Sequence, residues 1–165
     1  MTYNELLIEA DNHDLIVKEK DLPISNGRIK GNRIAIKRDL SETEKTYILA
    51  EELGHYYTSV GNILDQSVAS NRKQEHRARM WAYDKLINLI GIIDCYKAGC
   101  RNRYEAAEYL NVPEECFQDA IDAYHRKYGQ CVQVGDYVIY FEPCLGIVRK
   151  IDFDFDYDFL FGSNF

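Results

Sequence analysis

The sequence lacks the cysteine patterns that hold many small proteins together. Its five cysteines are an odd number and include no CxxC pair. Both a disulfide framework and a thiolate zinc ribbon need paired cysteines at suitable spacing, so this pattern argues against either. We expect reduced thiols that serve mainly in packing. They are Cys95, Cys100, Cys116, Cys131 and Cys144.

Long hydrophobic runs are also missing. No stretch approaches the roughly 20 apolar residues that a membrane span needs. The first 14 residues, MTYNELLIEADNHD, are polar and acidic, whereas a signal peptide is basic and then apolar. The sequence therefore predicts a cytoplasmic protein with no membrane partner.

Positive charge is scarce and dispersed. The formal net charge is −7, and no run of Lys or Arg exceeds two residues. Attraction to phosphate dominates the affinity of proteins for nucleic acids. The composition thus predicts no direct nucleic-acid partner.

What the chain does contain is typical of a folded globular protein. It has 165 residues, of which 46% are hydrophobic, with 3 prolines and 10 glycines. This length suits one compact domain with a sizeable core. We predict one main domain over residues 1–130 and a C-terminal strand extension over residues 131–165 that packs on it.

Helices and strands occupy different parts of the predicted chain, which indicates an α+β fold. Ser41 and Glu44 form a capping box, and the helix that it starts should reach about Tyr57. Apolar residues at spacings of three and four predict a second long helix. The predicted helices cover residues 41–57, 70–89, 103–110 and 114–128. The predicted strands cover residues 15–17, 33–37, 137–141 and 147–151. The first two strands should form a small antiparallel sheet packed on the helical core.

The first long helix carries a group of side chains that can bind metal. Successive residues advance by about 100°, so Glu51 and His55 share one face and Glu52 lies beside them. Ile48, Leu49, Leu53 and Tyr56 mark the apolar side of the helix, and Glu52 falls in its middle. Burying an unpaired carboxylate costs several kcal/mol. Glu52 should therefore be paired, protonated or engaged with a metal.

The second long helix repeats this feature at Glu75, which continues the inward stripe of Ala78 and Ala82. In the zincin signature HExxH two histidines bind zinc and the glutamate is the general base. Because zinc also accepts carboxylate oxygen, Glu51, His55 and Glu75 are candidate zinc ligands and Glu52 the candidate base. Two alternatives stay open. Glu75 pairs with Arg72 or Arg79 instead, or His76 replaces it as ligand.

Four segments of the chain carry a resemblance to a known family: KGNRI at residues 30–34, ILAEELGHYYT at 48–58, QEHRA at 74–78 and AAEYLNVP at 106–113. Together they resemble the ImmA/IrrE family of metallopeptidases. The resemblance implies that residues 1–130 are a metallopeptidase-like domain with a zincin-like helical core. It implies a zinc endopeptidase that cleaves a helix-turn-helix repressor and so relieves repression of a prophage, mobile element or stress regulon. One position departs from the pattern, because Glu51 stands where the family motif has its first histidine.

Rival interpretations remain for several segments. A carboxylate at position 51 weakens the Lewis acidity of a bound metal, so a metal-binding adaptor without turnover is one rival function. A DNA-binding regulator is another, with residues 103–128 as a helix-turn-helix, although the acids of its second helix favour a packing role. Residues 152–159 alternate Asp with aromatic residues, which predicts either an amphipathic strand or an acidic edge that binds a basic substrate. Tyr56 or Tyr57 is a candidate oxyanion donor.

Overall fold

The computed structural model describes residues 1–59 and 68–150. The predicted α+β class is confirmed. The helices are α1 (Tyr3–Asn12), α2 (Glu42–Ser59), α3 (Val68–Leu86), α4 (Leu89–Lys97), α5 (Arg103–Leu110) and α6 (Glu114–Tyr128). The strands are β1 (Ile16–Lys20), β2 (Gly27–Lys30), β3 (Arg33–Lys37), β4 (Cys131–Val134), β5 (Tyr137–Tyr140) and β6 (Gly146–Arg149).

The N-terminal sheet is mixed, so the prediction of a purely antiparallel sheet was wrong. Its strand order is β1-β3-β2, with β1 parallel to β3 and β2 antiparallel to β3. The central strand holds Ile34 and Ile36, which are 2% and 0% exposed. A strand with two buried isoleucines is best placed between two neighbours. The connection through β2 supplies the crossover that a parallel pair requires.

Two helices were absent from the sequence prediction. In α1 the side chain of Thr2 accepts a hydrogen bond from the backbone N–H of Glu5, and Leu6 and Ala10 are buried. The second long helix ends at Leu86, and α4 begins separately behind Asn88, whose side chain accepts from the N–H of Gly91. Both helices start at a local capping residue rather than at a change in hydrophobic periodicity.

The C-terminal half packs on the same core. The helices α5 and α6 are separated at Asn111, which adopts a left-handed conformation with φ of 55°. Helix α6 buries six side chains, in agreement with the predicted packing role: Cys116, Phe117, Ala120, Ile121, Ala123 and Tyr124. An antiparallel sheet in the order β4-β5-β6 follows. Its Ile139, and Phe141 beyond β5, join the buried cluster.

Two further predictions can be compared with the described residues, and a third falls outside them. All five cysteines are free; Cys95 and Cys116 are buried, whereas Cys131 and Cys144 are exposed. No helix within residues 1–59 and 68–150 is long and apolar enough to cross a membrane. The alternating segment 152–159 and Ile151 lie outside the described residues.

Candidate metal and catalytic site

Helix α2 presents Glu52 to the interior, as its sequence predicted. The capping box is present, because Glu44 accepts from the Ser41 N–H at 2.8 Å and donates its own N–H to Ser41 Oγ at 3.3 Å. Leu49 and Leu53 are fully buried on the inward side of the helix, and Glu52 is 9% exposed. A carboxylate has therefore been placed in the apolar interface between α2 and the N-terminal sheet.

Strand β2 supplies the immediate surroundings of that carboxylate. The backbone N–H of Ile29 faces the Glu52 carboxylate and acts to lower its pKa. A Cβ atom at Gly27 would lie 2.6 Å from Glu52 Oε1, so the glycine lets β2 approach the helix. Burial, followed by the nearby Glu51 carboxylate, raises the pKa of Glu52 to about 7. Glu52 can therefore exchange a proton near neutral pH.

This raised pKa predicts how stability depends on pH. The folded protein binds the Glu52 proton more tightly than the unfolded chain does, so the free energy of unfolding falls as pH rises from 4.5 to about 7. The full shift corresponds to about 3 kcal/mol. We expect Glu52→Gln to melt at a higher temperature than the wild type at pH 8 and at a similar temperature at pH 4.5. Thermal denaturation with a chelator measures this, and a wild type that is the more stable at pH 8 would contradict it.

The contact between α2 and α3 is made by Gly54 and Ala78. A Cβ atom at Gly54 would lie 3.0 Å from the Cα and the carbonyl carbon of Ala78, and closer still to its carbonyl oxygen. Both residues are fully buried or nearly so. Small residues at the crossing point let the two helices approach closely, which brings the side chains one turn away into contact.

We expect Gly54→Ala to separate α2 from α3 and to destabilise the fold by about 1–3 kcal/mol, because backbone atoms cannot yield as a flexible side chain can. Gly146→Ala is the matched control, since its nearest neighbouring atom would be 4.0 Å away. Chemical denaturation measures both. Equal unfolding free energies for the two variants would contradict this role of Gly54.

Beside this crossing, the structure brings His55 and Glu75 together. His55 Nε2 lies 3.4 Å from Glu75 Oε2. The Glu75 side chain is 47% exposed, so the prediction that it points into the interior was wrong. Ala78 and Ala82 are buried further along α3, but Glu75 lies one turn before Ala78 at the rim of the helix contact, where solvent reaches it.

Arg79 joins the two candidate carboxylate ligands. Its Nε lies 3.1 Å from Glu75 Oε1 and 3.3 Å from Glu51 Oε1. The alternative prediction that Glu75 pairs with Arg79 is therefore confirmed, although Glu75 contacts His55 as well. The Arg79 side chain is half exposed, which leaves its guanidinium group room to move.

Glu51 is the more buried of these two carboxylates, at 16% exposure. The hydroxyl of Tyr47 donates a hydrogen bond to Glu51 Oε1 at 2.7 Å. Burial raises the pKa of Glu51, while the bond from Tyr47 and the charge of Arg79 act against that rise. Tyr47 and Arg79 thus approach the same oxygen of Glu51, and the shorter contact is the hydrogen bond from Tyr47.

Within residues 1–59 and 68–150, no group of three or more His, Cys, Asp or Glu side chains is arranged to hold a metal ion. The chemical types nevertheless fit zinc, since an imidazole and two carboxylates are accepted ligands. His55 and Glu75 are in contact, and the third candidate, Glu51, is linked to Glu75 through Arg79. In this arrangement the cation between the carboxylates of Glu51 and Glu75 is the guanidinium group of Arg79.

Sequence reasoning missed Tyr47 and Gly54 as parts of the site. Tyr47 lies four residues before Glu51 on the same helical face, a spacing that could have identified it. Gly54 could not be recognised without its partner helix. Of the two candidate oxyanion donors, Tyr57 donates to Glu9 at 3.4 Å and stacks on Trp81 at 4.9 Å. The oxyanion role itself stays a prediction.

The imidazole and carboxylate side chains that α2 and α3 bring together are ligand types that catalytic zinc sites use. Residues 10–122 match the Peptidase_M78 family model, described as the IrrE N-terminal-like domain. This match covers more than half of the chain and includes both helices of the site. The chain therefore belongs to the IrrE N-terminal-like peptidase family. No curated protein and no solved structure matches it.

Proposed function

We propose that the protein is a zinc-dependent endopeptidase that cleaves a helix-turn-helix repressor and so relieves repression. One observation carries this proposal: α2 and α3 bring His55 into contact with Glu75, and Arg79 bridges Glu75 to Glu51. The carboxylates of Glu51 and Glu75 are also close enough to raise the pKa of the buried Glu52. The family to which the chain belongs supports a metallopeptidase. The repressor as substrate follows from the resemblance to ImmA/IrrE proteins.

Glu51, His55 and Glu75 would hold the metal. A bound zinc ion would supply the Lewis acidity that polarises a peptide carbonyl or a water molecule. Arg79 must then leave its place between the two carboxylates, which its long and half-exposed side chain permits. Tyr47 would keep Glu51 oriented throughout through its hydrogen bond.

Glu52 would act as the general base. Its pKa of about 7 means that both protonation states are populated at neutral pH. The ionised carboxylate takes a proton from the attacking water and afterwards returns it to the leaving amine nitrogen. The Ile29 N–H favours the ionised form of this carboxylate, which opposes the effect of burial.

The substrate segment would bind along β2. This strand is an edge of its sheet and it contacts Glu52 through Gly27 and Ile29. An exposed edge strand can accept an extended peptide as an additional strand, and backbone hydrogen bonds then provide affinity without strict sequence requirements. A peptide in this position would lie beside the catalytic carboxylate.

A second candidate function is a non-catalytic adaptor that binds a repressor. It is favoured by the bridging position of Arg79, whose one positive charge is shared by Glu51 and Glu75 without any metal. Glu51 also replaces a neutral imidazole ligand by an anion, which lowers the Lewis acidity that a bound metal can provide.

Purified protein and purified candidate repressors distinguish the two functions. The peptidase proposal predicts discrete repressor fragments by mass spectrometry, their disappearance with 1,10-phenanthroline and their return when zinc is added. Stable co-purification of an intact repressor, unchanged by the chelator, would reject the peptidase and support the adaptor.

A further inference from the structure

The outward face of the N-terminal sheet is strongly basic. Side chains alternate between the two faces of a strand, and the register places one set of eight on the same face. Six of the eight are Lys or Arg, and none is acidic. The set, which we call the basic sheet face, consists of Ile16, Lys18 and Lys20 on β1, Arg28 and Lys30 on β2, and Arg33, Ala35 and Lys37 on β3.

Five of these cations line one shallow hollow of about 430 Å³ together with Ile16, Ile34 and Ala35. All five are exposed: Lys18, Lys20, Arg28, Lys30 and Arg33. Within the part of the chain that the structure describes, none of the five forms an ion pair. Because the Ala35 side chain at the centre of the face is short, a depression forms between the long Lys and Arg side chains around it.

Two acids of β1 and its C-terminal end are engaged elsewhere. Glu19 points to the opposite face of β1 and binds Lys45 at 2.8 Å. Asp21, just beyond β1, pairs with Arg38 at 3.4 Å. Neither acid therefore forms an ion pair with the basic sheet face. Charges on distant parts of the molecule act weakly, because physiological salt screens interactions beyond about 8 Å.

The composition of the face favours a nucleic acid over a protein partner. Protein interfaces are depleted in Lys and depend on aromatic or other large anchors, and this face has no aromatic residue. Interfaces with DNA are far more positively charged. Proteins that bind single strands stack the bases on aromatic side chains, which this face lacks. The ligand that its positive charge fits best is therefore the phosphate backbone of a duplex.

We propose that the basic sheet face binds the phosphate backbone of double-stranded DNA without sequence specificity. The proposal departs from the prediction based on net charge, because a total of −7 does not describe how the fold distributes charge. It does not rest on the peptidase function. Glu52 lies on the other side of the sheet, so DNA and a peptide can bind at the same time.

Fluorescence anisotropy with a labelled 20-base-pair duplex of arbitrary sequence tests this with the full chain. The test variant is Lys18→Gln/Lys30→Gln/Arg33→Gln, and the control is Lys73→Gln/Arg77→Gln/Arg101→Gln. Each removes three positive charges, so both have the same net charge. A third variant, Lys18→Arg/Lys30→Arg/Arg33→Lys, retains the charge. Circular dichroism establishes that each variant is folded.

We expect wild-type affinity to fall on the order of 10²–10³-fold between 50 and 200 mM salt, as for about five phosphate contacts. The test variant should bind at least about tenfold more weakly at 50 mM salt and lower the salt slope by about three. The control and the charge-retaining variant should resemble the wild type. Equal loss in test and control variants would overturn the proposal, as would tighter binding of a poly-glutamate peptide than of the duplex.

Discussion

Glu52→Gln should abolish repressor cleavage, lowering kcat/KM by a factor of about 10²–10⁴, while the protein stays folded and keeps its zinc. Glutamine has the shape of glutamate and can keep its side-chain oxygen towards the Ile29 N–H, but it cannot take a proton from water. Because Glu52 is only 9% exposed and has a pKa of about 7, it is the carboxyl group of the site best suited to proton transfer at neutral pH.

Glu42→Gln is the control for this result. Glu42 lies on the same helix and is exposed, so its substitution removes one negative charge from α2 without entering the site. Time courses of fragment formation, followed by mass spectrometry, measure both variants. Persistence of wild-type cleavage in Glu52→Gln would assign the base to another residue.

Zinc affinity should respond in opposite directions to substitution of His55 and of Arg79. His55→Ala removes the imidazole ligand, and we expect a loss of at least about 100-fold, since even outer hydrogen-bond partners of metal ligands contribute 10–100-fold. Arg79→Ala removes the cation that competes for Glu51 and Glu75. We expect it to raise zinc affinity by about tenfold, which corresponds to about 1.4 kcal/mol.

The opposite signs are informative because a general loss of stability would lower the zinc affinity of both variants. Competition titrations with a chromophoric chelator measure the affinities. Arg38→Ala serves as the control, since Arg38 pairs with the exposed Asp21 and not with Glu51 or Glu75. A fall in zinc affinity for Arg79→Ala would contradict a site in which the metal takes the place of the guanidinium group.

The sequence predicted those parts of the fold and site that depend on local periodicity. The capping box at Ser41 and the apolar stripe of α2 were sufficient to place Glu52 in the interior, because both follow from helix geometry within a few turns. The same reasoning failed for Glu75. The apolar stripe predicted on α3 is buried at Ala78, as expected. Whether α2 also covers Glu75, one turn earlier, depends on where the two helices cross at Gly54.

The mixed sheet and the basic sheet face were missed for a related reason. Alternation in β1, β2 and β3 is visible in the sequence, yet their order and direction are not local properties. Only the pairing of β3 with both neighbours brings Lys18, Arg28 and Arg33 onto one surface. Net charge and run length cannot reveal such a surface.

The most direct test of the central claim, that α2 and α3 together form a metal centre, is zinc X-ray absorption spectroscopy of protein purified without chelator. The account predicts one zinc per chain with nitrogen and oxygen ligands at about 2.0–2.2 Å, including the single imidazole of His55. The chain also offers five free cysteines as alternative ligands. Sulfur scattering at about 2.3 Å, or protein without zinc, would contradict it.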